Sequence, residues 1–154
     1  MSFGSLLAIE IIEQTTDKIV AQDFLNIKEA SLDKIIRRID TIIKSMFLDI
    51  GFKIKKDPYE SILARDSDLN RLAYLGFRII KRALNNSNVA NEINLSMQQL
   101  HDCWLLLLNL EKIGDALKRI TRLNRSLIIK KKERGDLIKL FNEAKDAYYD
   151  VMKA

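Results

Sequence analysis

Leu110-Glu111-Lys112-Ile113-Gly114-Asp115 stands inside a long segment of helical apolar period and breaks two helix preferences at once. A glycine in mid-helix costs roughly 1 kcal/mol relative to alanine. Glu111 and Asp115, at i and i+4, put like charges on one face, a repulsion of about 0.2–0.5 kcal/mol. Local rules fail where packing or function compensates. A close neighbouring backbone would account for Gly114, and a bound cation would reverse the sign of the carboxylate interaction.

Working outward, the same segment carries Leu100, Cys103, Trp104, Leu106, Leu107, Leu110, Ile113, Leu117 and Ile120, which almost encircle a helix. This predicts one helix over about 91–129, central and covered on both sides, with a bend near Ser96 or Gly114. Upstream, Leu32, Ile35, Ile36, Ile39, Ile42, Ile43, Met46 and Ile50 form a stripe that predicts a helix from an N-cap at Ser31 to about Lys56. Asp57-Pro58 restarts the chain into a second helix over about 58–86, with Ile62, Leu69, Leu72, Ala73, Gly76, Phe77, Ile80 and Leu84 on its apolar side. Asn85-Asn86-Ser87-Asn88 ends it. A last helix over about 133–153 presents Leu137, Phe141, Ala144, Tyr148 and Val151. At the N-terminus, 6–13 and 17–24 are predicted strands around a polar turn at Gln14-Thr15-Thr16. The expected fold is mainly α: an antiparallel long-helix bundle with a short N-terminal β-hairpin. Its segments are 1–28 for the hairpin and connector, 29–130 for the three-helix unit, and 131–154 for a further helix.

Composition narrows the function. A chain of 154 residues with 47% apolar and 31% charged residues is expected to form one soluble domain. Cys103 is the single cysteine, which excludes an internal disulfide and fits a reducing, cytoplasmic setting; in its apolar run it reads as an inert thiol. No stretch is long and apolar enough to predict membrane insertion. Lys130-Lys131-Lys132 is the one basic run, and no aromatic residues interleave with it, so direct nucleic-acid binding is not expected. His101 is the only histidine, and Gln98 stands where a Glu-x-x-His motif would need its acid. With no spare relay, no phosphate-cradling glycine loop and no zinc-type spacing, an enzyme is not expected.

The candidate site is a set of oxygens. Asp66 lies on the stripe between Ile62 and Leu69 with Asn70 one turn on, and Glu111 is followed by Asp115. If the two helices are antiparallel neighbours, Asp66, Asn70, Glu111 and Asp115 converge at one seam. Such oxygen donors suit a divalent metal or iron without histidine. The alternative is a solvated margin paired with Arg65, Arg71, Lys112 or Lys118.

Leu110-Glu111-Lys112-Ile113-Gly114-Asp115 also resembles the Leu-Glu-Arg-Ile-Gly-Asp signature of the PhoU family of phosphate-signalling regulators. Ile62-Leu63-Ala64-Arg65-Asp66-Ser67-Asp68-Leu69-Asn70-Arg71-Leu72 resembles that family's other signature helix, which commonly ends Arg-Asp-x-Glu-Val-Asp-Arg-Leu. Arg37-Arg38 through Ser45-Met46 to Asp49 is similar to the first helix of its three-helix repeat. Residues 11–24 are similar to the connector that precedes such repeats in archaeal proteins, where an AbrB-type DNA-binding hairpin often comes first.

The resemblance implies a cytoplasmic, non-enzymatic, metal-binding regulator of phosphate uptake. It implies contact with a phosphate-transport ATPase, a sensor kinase or a fused DNA-binding domain; the exposed surface of a half repeat makes a homodimer the expected assembly. Its metal pattern, an acid, three residues and an aspartate, carries over to Asp66 with Asn70 and to Glu111 with Asp115. Asn70 stands where the family usually has aspartate, and Ala116 where a histidine or small polar residue often follows. One three-helix repeat is complete, and 131–154 is similar to the opening helix of a second, as in a truncated or short member. A metal-free interaction bundle and the regulatory part of a transcription regulator are the alternatives.

Overall fold

A computed structural model describes residues 9–14, 18–23, 31–51, 57–126 and 131–153. Three long helices form the core: α1 (Leu32–Ile50), α2 (Tyr59–Asn85) and, after the short α3 (Ser87–Ile93), α4 (Met97–Ser126). A fifth helix, α5 (Lys131–Val151), follows α4. The bundle predicted from apolar spacing is the architecture observed. Ahead of it, β1 (Ile9–Gln14) and β2 (Ile19–Asp23) pair antiparallel from Ile9↔Asp23 to Gln14↔Ile19, with an irregularity between Ile11 and Glu13. The ladder includes Gln14, which was expected in the turn. Thr15 and Thr16 lie outside the described residues, as do 6–8, 17 and 24 of the expected strands.

The α1 stripe is the core's first wall. Leu32, Ile35, Ile39, Ile43, Met46 and Ile50 are buried, while Ile36 and Ile42 are half-buried at its margin. The helix ends at Ile50, not near Lys56: Gly51 follows as its C-cap, and 52–56 lie outside the described residues. Ser31 occupies the N-cap in extended backbone, but its side chain makes no capping hydrogen bond. Pro58, not Asp57, is the N-cap of α2; Asp57, one residue earlier, accepts the Tyr59 N–H on Oδ1 at 3.1 Å. Ile62, Leu69, Leu72, Ala73 and Ile80 are buried as expected, joined by Ile79 and Ala83, whereas Leu84 faces solvent.

The expected single helix over 91–129 is two. Asn86 accepts from the Asn88 and Val89 N–H groups and starts α3, where the asparagine run was expected only to end a helix. Asn94 then adopts the left-handed conformation (φ 54°), which asparagine tolerates better than most side chains, and closes α3. Ser96 and Gln99 reopen the chain as a reciprocal capping box: Gln99 N–H donates to Ser96 Oγ at 3.2 Å, and Ser96 N–H to Gln99 Oε1 at 2.8 Å.

Helix α4 is not covered all round, as its apolar circumference predicted. Leu100, Leu107, Leu110 and Leu117 are buried, but Trp104, Leu105, Ile120 and Leu123 reach solvent. Helix α5 is held against α1 by aromatic packing. Phe47 meets Phe141 and Tyr148 at ring-centre distances of 5.6 and 5.5 Å, and Tyr148 Oη donates to Asp40 Oδ1 at 2.8 Å. Of its expected stripe, Phe141 and Tyr148 are buried, whereas Leu137, Ala144 and Val151 are exposed.

Candidate functional site

Helices α2 and α4 run antiparallel and in contact. At one end Phe77 packs on Trp104, with ring centres 4.6 Å apart; at the other, Arg125 lies over the Tyr59 ring and pairs with Asp57 at 3.1 Å. Between these ends, both helices use glycine for close approach. A Cβ on Gly114 would stand 2.7 Å from Leu69 Cδ1, and a Cβ on Gly76 would stand 2.5 Å from Leu107 Cδ1. Leu69 and Gly76 are one heptad apart on α2, and so are Leu107 and Gly114 on α4. Each helix therefore drops a fully buried leucine onto the other's glycine, in a reciprocal pair. The mid-helix glycine of the signature stretch is accounted for by packing.

The same approach brings the acids together. Asp66, one turn before Leu69, is buried at 7% exposure, not merely at the margin of its stripe. Its Oδ2 accepts Lys118 Nζ at 2.7 Å, and the same ammonium reaches Asp115 Oδ1 at 2.5 Å. Asn70 Nδ2 lies 3.4 Å from Asp66 Oδ2. Glu111 completes the group. Burial pushes its carboxyl above the ordinary carboxylate range, and the negative charges of Asp115 and Asp66 push it further, against the pull of Lys118 and Lys112. Burial disfavours the Lys118 ammonium, but hydrogen bonds to Asp115 and Asp66 outweigh it and hold Lys118 above the usual lysine value. Asp66 Oδ1, Asn70 Oδ1 and Arg71 Nε are buried without a hydrogen-bond partner among the described residues.

Of the four residues singled out from sequence, Asp66, Asn70 and Asp115 are joined at one seam through Lys118 and Asp66, while Glu111 only lies near enough to feel the charges of Asp115 and Asp66. Lys118 appeared in the sequence reading only as one of four counter-ions for a solvated margin; its spacing of three from Asp115 was the available signal. Of the other three, none lies between the acids. Arg65 pairs with Asp49 of α1, Arg71 lies 3.8 Å from Asp68, and Lys112 is exposed. As the side chains stand, the set does not fit a resident divalent ion. A lysine ammonium takes the oxygens that such an ion would need, and among the described residues no three His, Cys, Asp or Glu converge on a common point.

Elsewhere the chemistry is spare. His101 is exposed, 3.6 Å from Asp102, and Cys103 is half-buried, its thiol pushed up by burial and by Asp102. No helix among the described residues is long and apolar enough to cross a membrane. Comparison with protein-family models, curated proteins and solved structures finds no match to the chain.

Proposed function

We propose that the chain is a non-enzymatic helical regulator that acts by protein–protein contact, in the manner that its resemblance to PhoU proteins implies for phosphate homeostasis. The observation that carries this reading is the α2/α4 seam. Two of the segments on which the resemblance rests lie far apart in sequence, yet they pack face to face through Leu69 on Gly114, with Asp66 paired to Lys118 just beyond the second. A residue pattern whose odd features serve one helix contact belongs to a scaffold, and a scaffold works through the surface it presents.

In this reading Lys118 supplies the cation that bridges Asp66 and Asp115 across the seam. A metal-dependent form would require Lys118 to leave. Elemental analysis of the purified chain beside Glu111→Gln/Asp115→Asn separates the two forms: stoichiometric metal in the first and none in the second restores the metal. For the phosphate role, the test is genetic. Deleting the gene in its own cells should raise phosphate uptake under phosphate-rich conditions, and the 154-residue chain should restore control. Unchanged uptake overturns the phosphate assignment and leaves the helical scaffold.

A further inference from the structure

Between α4 and α5 runs an open groove of about 480 Å³, with Phe47 of α1 as its floor. Ala116 and Ile120 stand on one wall and Leu140 and Ala144 on the other, and no lining residue is charged. Leu140 is 62% exposed and Ile120 36%, so two apolar rims stand in water. A face of this kind marks an interaction site. Helix α5 is fastened to α1 by Phe141 and Tyr148 around Phe47, and an occupant of the groove would tie it to α4 as well.

The groove's dimensions select the occupant. Its α5 wall, from Leu137 to Tyr148, is about 16 Å long at 1.5 Å per residue, which leaves a mean cross-section of about 30 Å². A helix with its side chains is about 10–12 Å across and needs about 80 Å² or more. A single polymethylene chain, about 4–5 Å across at ordinary carbon–carbon contact, needs about 20 Å² or less. The groove is wide enough for one hydrocarbon chain and too narrow for a helix. At about 1.25 Å of zigzag per carbon, its length suits an acyl chain of roughly 12–14 carbons.

One end of the groove is polar. A smaller pocket there is lined by Thr121 and Asn124 of α4, Arg134 of α5 and Asp49 of α1. On each of these helices the pocket residues lie within about one turn of a groove residue: Ile120, Leu137 and Phe47. The pocket therefore continues the groove where α4 finishes and α5 begins. Asp49 is paired with Arg65, whereas Arg134 is exposed and carries no ion pair among the described residues. We propose that the groove binds a free long-chain fatty acid, with its hydrocarbon chain between α4 and α5 and its carboxylate at Arg134. A guanidinium offers a carboxylate two parallel N–H donors, and the Asn124 amide stands beside it. This inference does not rest on the phosphate reading.

Displacement of a fluorescent fatty-acid probe from the full chain tests this, with sodium laurate below its micelle concentration as the competitor. Laurate is expected to bind one-to-one, and each two carbons removed should weaken it about tenfold, as the burial of methylenes requires. Ala116→Phe and Ala144→Phe, at exposed positions on opposite walls, should leave helical content unchanged and weaken laurate at least about tenfold. Arg134→Gln should weaken laurate about fivefold and leave 1-dodecanol, which lacks the charge, unchanged. No displacement by laurate, an affinity indifferent to chain length or to both groove-filling variants, or equal effects of Arg134→Gln on acid and alcohol would each overturn the proposal. Displacement by anionic phospholipid vesicles but not by laurate monomer would do the same, and would leave the face to a membrane surface.

Discussion

Replacing Lys118 by methionine keeps the side chain's length and apolar stem and removes its charge. Asp66, with its side chain 9% exposed, would lose its ion pair, keeping only Asn70 Nδ2 at 3.4 Å on Oδ2 and nothing on Oδ1. Removing one partner of a fully buried pair costs about 3–5 kcal/mol, because the other charge is left unsolvated. The Lys118 side chain is 32% exposed, so water already screens that end, and the expected loss falls to about 2 kcal/mol. For a chain of this size that lowers the melting temperature by roughly 4–8 °C. Two controls locate the effect. Asp115→Asn, at a carboxylate 42% exposed, should cost only about 0.5 kcal/mol. Lys118→Met/Asp66→Leu removes both charges and should return to within about 1 kcal/mol of wild type. Urea unfolding followed by helical circular dichroism measures all four proteins. If Lys118→Met costs no more than Asp115→Asn, or if the double variant is no more stable than the single, the seam is not held by a buried ion pair.

Three further outcomes are expected. Because the folded state raises the Glu111 pKa above its unfolded value of 4.5, Glu111 favours folding when protonated, and stability falls as pH rises from 4.5 through the folded pKa. Glu111→Gln should therefore raise the melting temperature at pH 7 by a degree or two, consistent with about 0.2–0.5 kcal/mol of like-charge repulsion, and should flatten that slope; a loss of stability at pH 7 would contradict the sign. Gly114→Ala gains about 1 kcal/mol of helix propensity but forces Leu69 Cδ1 off its site, an overpacking cost of about 1–3 kcal/mol, so a net loss is expected. Added to a Leu69→Ala background, the same change should stabilise, and thermal melts of the four proteins give the coupling directly. Tyr148→Phe removes the hydrogen bond to Asp40 and should cost about 1 kcal/mol, read as earlier melting and faster proteolysis within α5.

Much of this was legible in the residues, and the exceptions have physical causes. The α1 stripe gave its buried face almost residue by residue, because a strongly amphipathic helix against a core leaves one solution. The same logic overreached on α4. Apolar residues all round were read as coverage on all sides, but Trp104, Leu105, Ile120 and Leu123 are exposed, and apolar content records what a face prefers to meet, not what meets it. The bend expected near Ser96 is a full interruption at Asn94–Ser96, and α3 before it was not expected as a separate helix because the asparagine run Asn85–Asn88 reads as a stop and not as a start. At the seam, periodicity placed Asp66 and Asp115 on facing sides of neighbouring helices. It did not say which cation lies between them, because lysine reaches far enough to pair within its own helix or across to the next. Here Lys118 does both.

The two leucine–glycine contacts have a mechanical consequence. Either alone would let α2 and α4 pivot about a single close point. Two of them, offset by a heptad on each helix and reversed in direction, act as a pair of dowels. Sliding either rod by one turn would require both leucines to withdraw together and both glycines to be refilled by bulkier neighbours. Axial ratcheting is thereby blocked, and any displacement that reaches one end of this pair arrives at the other as tilt of a stiff beam.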